Sequence, residues 1–170
     1  MDKTKLQQHL FSERAHLYAV LDGVMVPDLP NVLYDEKVPN ECLWSGDLTP
    51  DKIYTAPYLV GLKRNSKFSD WVFEEALGKH WGIFIHSTRS MVDTKNHFRS
   101  MLLAYDERGN PLRFRYYDPR VLRKYLPTCN MGELKTVFGN SEAIFIESDD
   151  PDKILRFEIG KDGLKATELN

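Results

Sequence analysis

The sequence predicts a single α/β domain of the α+β kind: a mixed β-sheet flanked by helices and closed by a C-terminal β-hairpin. Three observations predict it. Short apolar runs rich in strand formers, such as Leu17–Leu21, Trp81–Ile85 and Ala143–Ile146, end in turn residues. Between them lie segments whose apolar residues recur near every 3.6 positions. At 170 residues, 42% hydrophobic and 28% charged, the chain can bury one sizeable core, and composition excludes disorder.

Residues 1–15 are polar, with Leu6, Leu10 and Phe11 at helical spacing, and predict a helix or an arm. Residues 16–127 hold the core elements. Leu17–Leu21 reads as a buried strand ending at the turn Asp22-Gly23. Residues 27–41, with Pro27, Pro30 and Pro39, read as irregular with room for one helical turn. Leu43-Trp44-Ser45-Gly46 reads as a short strand and turn. Ala56–Val60 reads as an edge strand or ordered loop, because Pro57 lacks a ladder donor. Phe68, Trp71, Val72, Ala76 and Leu77 predict a helix over 70–77, with Ser69 as N-cap and Gly78 just beyond its end. Trp81–Ile85 reads as a central strand. Ser90 and Asp93 open a helix through His97, Phe98 and Met101.

Leu103–Asp106 and Leu112–Tyr117 flank a Gly109-Asn110-Pro111 turn and read as a hairpin. The stretch Trp81–Tyr117 carries the expected βαβ content. Asp118-Pro119 starts a helix with Val121, Leu122 and Tyr125 inward, stopped by Pro127. Residues 128–170 predict one short helix from Asn130 to Phe138. Strands Ala143–Ile146 and Ile154–Ile159 follow, with a last hairpin at Lys161-Asp162-Gly163 packed on the same domain.

Charge is uneven. The net formal charge is −2, yet residues 89–124 balance at +5 while residues 1–60 and 141–170 each balance at −4. A uniformly basic nucleic-acid coat is excluded, and the middle block is available to dock an acidic partner. No apolar run approaches the ~20 residues of a membrane helix. The first residues lack the apolar core of a secretory signal. Cys42 and Cys129 have no metal-ligand spacing, so no disulfide scaffold, metal site or cofactor is expected. A cytoplasmic protein without a membrane partner is the expectation.

Phosphate-binding, dinucleotide-binding, zinc-protease and nucleophile-elbow motifs are all missing. His86-Ser87 cannot pair on a straight strand, because neighbours point to opposite faces. Two alternatives to a binding protein stay open: a hydrolase using Asp22 with His86 or His97, and a nucleic-acid module using residues 113–124. The most distinctive stretch is Arg113-Phe114-Arg115-Tyr116-Tyr117-Asp118-Pro119-Arg120, extended by Arg123. Strand alternation places Arg113, Arg115 and Tyr117 on one face and Leu112, Phe114 and Tyr116 on the core face. Arginine beside tyrosine is a favoured interface anchor, and Arg120 and Arg123 share a helix face. Asp118 reads as a helix cap paired with Arg115 or Arg120.

These motifs, in order, resemble the type VI secretion adaptor (Tap/TEC) family of effector chaperones, long filed as a domain of unknown function. The residues that carry the likeness are Leu17–Gly23, Leu43–Gly46, Ala56–Val60, Trp81–Phe84, His97-Phe98-Arg99 and Arg115–Leu122. Phe98 stands where the family usually has leucine. The resemblance implies a non-enzymatic adaptor with no small-molecule substrate and no nucleic acid. It would hold a secreted effector in the cytoplasm and couple it to the VgrG spike or its tip. Arg99, Arg113, Arg115, Tyr117, Arg120 and Arg123 are the expected partner-binding residues. Asp22, Pro57, Tyr58, Trp81, Gly82, Asp118 and Pro119 are the expected structural ones. The family's α/β lobe is often followed by a helical lobe. Only 43 residues follow Pro127 here, and they read mainly as strands, so a hairpin is expected in its place.

Overall fold

Strands that are apolar on both sides need cover on both faces, and the computed structural model supplies it. The described residues are 3–11, 14–150 and 152–170. In chain order the elements are α1 (Lys3–Leu10), β1 (His16–Asp22), α2 (Leu29–Asp35), β2 (Asn40–Cys42), α3 (Pro50–Thr55) and β3 (Pro57–Leu62). Next come α4 (Lys67–Glu75), β4 (Gly82–Ser87), α5 (Met91–Ser100), β5 (Leu103–Tyr105), β6 (Pro111–Arg113) and α6 (Pro119–Tyr125). The chain closes with α7 (Met131–Phe138), β7 (Ser141–Glu147), β8 (Ile154–Gly160) and β9 (Gly163–Leu169).

Seven strands form one sheet in the order β2-β3-β1-β4-β7-β8-β9; β5 and β6 form a separate hairpin. One face of the sheet presents Leu17, Ala19, Leu21, Val60, Phe84 and Phe145 to α1, α2 and α4. The other presents Tyr18, Val20, Ile83, Ile85, Ile144 and Ile146 to α5, α6 and α7. Two cores thus sandwich the sheet, and the α+β class and the C-terminal hairpin stand as expected.

Several local expectations are corrected. All six pairings of the main sheet are antiparallel, so no βαβ unit lies between Trp81 and Tyr117. β3 is an inner strand between β2 and β1, not an edge. Pro57 is tolerated because it is the first residue of β3, where little of the ladder is lost. The edges are β2 and β9. Residues 27–41 hold the two-turn helix α2 and the start of β2, and β2 ends at Cys42, so Leu43–Gly46 is not the expected strand. The N-cap of α4 is Ser66, whose hydroxyl accepts from the Ser69 N–H at 3.1 Å. Ser69 Oγ instead accepts from the Lys63 N–H. Residues 50–55 form a helix with no expectation behind it, being too short to show a period.

The expected caps of the later helices are present. Ser90 Oγ accepts from the Asp93 N–H, and Asn130 and Glu133 form a reciprocal capping box on α7. Gly139 ends α7 at φ 53°, ψ −114°, and an added Cβ would sit 2.5 Å from the His97 ring. Only glycine fits such backbone against such a neighbour.

Candidate functional site

The basic-aromatic stretch does not run as one strand. β6 stops at Arg113, and residues 114–117 turn inward before α6. The alternation expected over 112–117 therefore fails. Tyr117 is buried with Tyr116, while Leu112 is 51% exposed. The inward turn is held by three polar contacts. The Tyr116 hydroxyl donates to the Phe98 carbonyl at 2.8 Å, Arg115 Nη2 lies 2.6 Å from Asp22 Oδ2, and Phe114 N–H donates to Leu102 O. Burial pushes the phenols of Tyr116 and Tyr117 up, and the nearby Asp22 charge adds to the second.

Asp22 ends β1 and is 1% exposed; it also accepts from the Val24 N–H at 2.9 Å. Burial works against the charge on Arg115, but the hydrogen bond and charge of Asp22 outweigh it and raise the guanidinium further. Asp118 caps α6 through the Arg120 N–H at 3.0 Å and takes a two-pronged contact from the same guanidinium at 2.9 and 2.8 Å. Burial alone would raise this carboxyl; the Arg120 bonds overcome it and hold it below the ordinary aspartate range. Pro119 sits at the first helical position, where no N–H is needed. Arg123 donates to the Glu147 carbonyl at 2.8 Å and pairs with Asp149.

The other structural residues surround this end of the sheet. Trp81 is buried against Trp71, with centroids 4.7 Å apart, and its carbonyl accepts from the Asp22 N–H. Tyr58 donates to the Ile53 carbonyl, tying α3 to β3, and burial pushes its phenol up to about 12. Gly82 lies so close to β1 that a Cβ would stand 2.0 Å from the Val20 carbonyl oxygen.

Around this welded corner opens a groove of about 360 Å³. Its apolar wall includes Leu43, Trp44, Leu48, Leu103, Phe114 and Tyr117; its cations are Lys52, Arg99, Arg113 and Arg115. Among the described residues no aspartate or glutamate lines it. Arg99 is committed to the carbonyls of Cys42 (2.7 Å) and Leu43 (3.2 Å), which fixes the loop that carries Trp44. Arg113 lies over the Trp44 ring, 5.2 Å from its centroid. Among the described residues, neither Arg113 nor Lys52 has a carboxylate partner. Of the six expected binding residues, Arg99, Arg113, Arg115 and Tyr117 converge on the groove. Arg120 and Arg123 lie outside it.

Leu48 and Lys52 are groove residues that the sequence did not point to. Trp44 belongs to the Leu43–Gly46 motif that carries the family likeness, but nothing in the sequence marked it as a binding residue. Nothing local placed Lys52 opposite Arg113, since the two are 61 positions apart in sequence.

The hydrolase alternative needs Asp22 near a histidine. Asp22 and Leu17, the partner of His86, stand five residues apart on β1, so roughly 17 Å separates Asp22 from His86. His86 faces the α1 side, bonded to the Leu10 carbonyl and packed on Phe145. His97 is on the opposite face of the sheet, bonded to the Val137 carbonyl at 2.9 Å. His97 lies beside Ser87, whose partner His16 is at the opposite end of β1 from Asp22, so the three groups do not meet. Among the described residues no cluster of metal-ligating side chains occurs, and no helix is long and apolar enough to cross a membrane.

Burial holds the His86 imidazole below its ordinary value, although the Leu10 carbonyl opposes the shift. The unfolded chain therefore binds this proton more readily than the folded one. Stability from neutral His86 is complete above about pH 6.5 and declines as pH falls below it. The expected result is a steeper loss of urea midpoint between pH 7.5 and 5.5 in the native chain than in His86→Gln. Parallel profiles would contradict the assignment.

A family model described as a domain of unknown function (DUF4123) matches residues 17–136. The chain belongs to this family. The matched span begins in β1 and ends in α7, so it takes in every residue of the groove and of the Asp22–Arg115 corner. The DUF4123 span also contains all the motifs that carry the likeness to secretion adaptors. Comparisons with curated proteins and with solved structures each found no match.

Proposed function

We propose that this DUF4123 protein is a non-enzymatic adaptor of type VI secretion. It binds an effector polypeptide and couples it to the VgrG spike, or the spike tip, before firing. The observation that carries the reading is the groove. An apolar wall beside Arg113 and Lys52, with no acidic residue lining it among the described residues, suits a protein segment bearing carboxylates. Arginine and tryptophan, both among its lining residues, are side chains enriched in the hot spots of protein interfaces. The resemblance of the motif set to secretion adaptors supplies the identity of the partners, and the family match covers the same residues. The reading includes a cytoplasmic location and no nucleic-acid, membrane or small-molecule ligand.

Co-expression of the tagged native chain with the effector and spike encoded beside it tests this directly. Retention of the effector, and of the spike through it, is the expected result. A chain that retains neither at micromolar concentration, or that turns over a substrate, would end the reading. The pair Lys52→Glu and Arg113→Glu is expected to weaken effector capture at least about tenfold, or 1.4 kcal/mol, while the melting temperature falls by no more than about 4 °C through loss of the Arg113–Trp44 contact. Both side chains are exposed and form no internal ion pair among the described residues.

A further inference from the structure

The hairpin of β5 and β6 stands apart from the main sheet, and its apolar side chains are open to solvent: Leu103 is 49% and Tyr105 63% exposed. A two-stranded unit is marginal by itself and is stabilised by gaining a third strand. The register pairs Leu103 with Arg113, Ala104 with Leu112 and Tyr105 with Pro111. Flanking bonds run from Phe114 N–H to Leu102 O and from Asp106 N–H to Asn110 O. Bonded and non-bonded pairs alternate in an antiparallel ladder. Ala104:Leu112 is therefore the bonded pair, and the main-chain groups of Leu103, Tyr105, Pro111 and Arg113 point outward. On the β6 side Pro111 has no N–H to offer, which blunts that edge. On the β5 side Leu103 and Tyr105 present two N–H and two C=O groups, with no partner among the described residues.

The pairing also sorts the side chains. Leu103, Tyr105, Pro111 and Arg113 share one face of the hairpin. Leu103 and Arg113 line the groove, so that face continues its wall.

We infer that the partner enters as an extended segment added to the open edge of β5, with carboxylates on the face that carries Arg113 and looks toward Lys52, and apolar side chains on the other face, beside Ala104 and Leu112. This rests on the adaptor reading and adds to it the conformation and chemistry of the bound segment. Main-chain bonds supply affinity in this mode, and alternate side chains supply selectivity. The unmatched cations select acidic over basic segments.

The test uses the full chain and two fluorescein-labelled peptides, one alternating glutamate with valine, the other alternating lysine with valine. Fluorescence anisotropy is expected to show saturable binding of the glutamate peptide only. Arg113→Glu weakens that binding at least about tenfold. N-methylating every second amide abolishes binding in one phase and leaves it in the other, because only one set faces β5. Equal binding of both peptides, no saturable binding up to about 1 mM, indifference to Arg113→Glu, or equal effects of both methylation phases would each overturn the inference. A native chain that captures the effector yet ignores the glutamate peptide removes this mode of binding and leaves the adaptor reading. A chain that binds the peptide but captures no effector supports the mode and removes that reading.

Discussion

Gly82→Ala is expected to remove about 4 kcal/mol or more of folding stability, enough to leave little soluble protein. The reason is a backbone contact. The new Cβ would stand 2.0 Å from the Val20 carbonyl oxygen and 2.9 Å from its carbon, and neither can rotate away. The only relief is to part β1 from β4, the two central strands on which both cores are laid. Gly109→Ala is the matched comparison. It too places a Cβ in the chain, at φ 79°, but in open space, so its cost is confined to the left-handed backbone at about 1 kcal/mol. Soluble yield and urea denaturation of the two variants check the contrast. A Gly82→Ala midpoint close to that of Gly109→Ala would refute the packing argument.

The second large effect concerns Asp22 and Arg115, and it is asymmetric. Arg115→Ala leaves the Asp22 carboxylate buried, with the Val24 N–H as its remaining hydrogen-bond donor among the described residues. Removing one partner of a fully buried pair costs 3–5 kcal/mol. Arg115 is 46% exposed, so water can enter where it stood, and about 2 kcal/mol is the expected loss. Asp22→Asn keeps an acceptor for Val24 and frees a half-exposed guanidinium to turn to solvent; about 1 kcal/mol is expected. A chain of this size loses about 2–4 °C of Tm per kcal/mol, so thermal denaturation resolves the two. Equal losses, or a larger one for Asp22→Asn, would mean that Arg115 does not neutralise Asp22. The functional consequence is practical. Charge reversal at Arg115 disturbs the corner that holds Tyr116 and Tyr117, so lost binding in that variant does not locate the partner. Arg113 and Lys52 can be reversed without that confusion.

Much of this was legible in the chain. Runs such as Leu17–Leu21 and Trp81–Ile85 announce buried strands because both faces of the sheet are covered. Ser90, Asp118-Pro119 and Asn130 announce helix starts because a cap is a local bond between residues two or three apart. Pro57 misled, since the sequence shows that an N–H is missing but not that the strand starts there. Arg115 misled in another way. Alternation assumes a strand that continues, and the chain bends at Phe114 because Tyr116 finds buried space against Phe98.

The α+β class, the caps of α5, α6 and α7, the basic middle block and the family can all be read from the chain without coordinates. These rest on short-range periodicity, on local hydrogen bonds and on motif order, all of which survive without coordinates. Which cations are spent on internal carboxylates, and which have none among the described residues, is visible in the fold alone. A guanidinium finds its carboxylate through space, and Asp22 lies 93 residues from Arg115 in the chain but 2.6 Å from it in the fold.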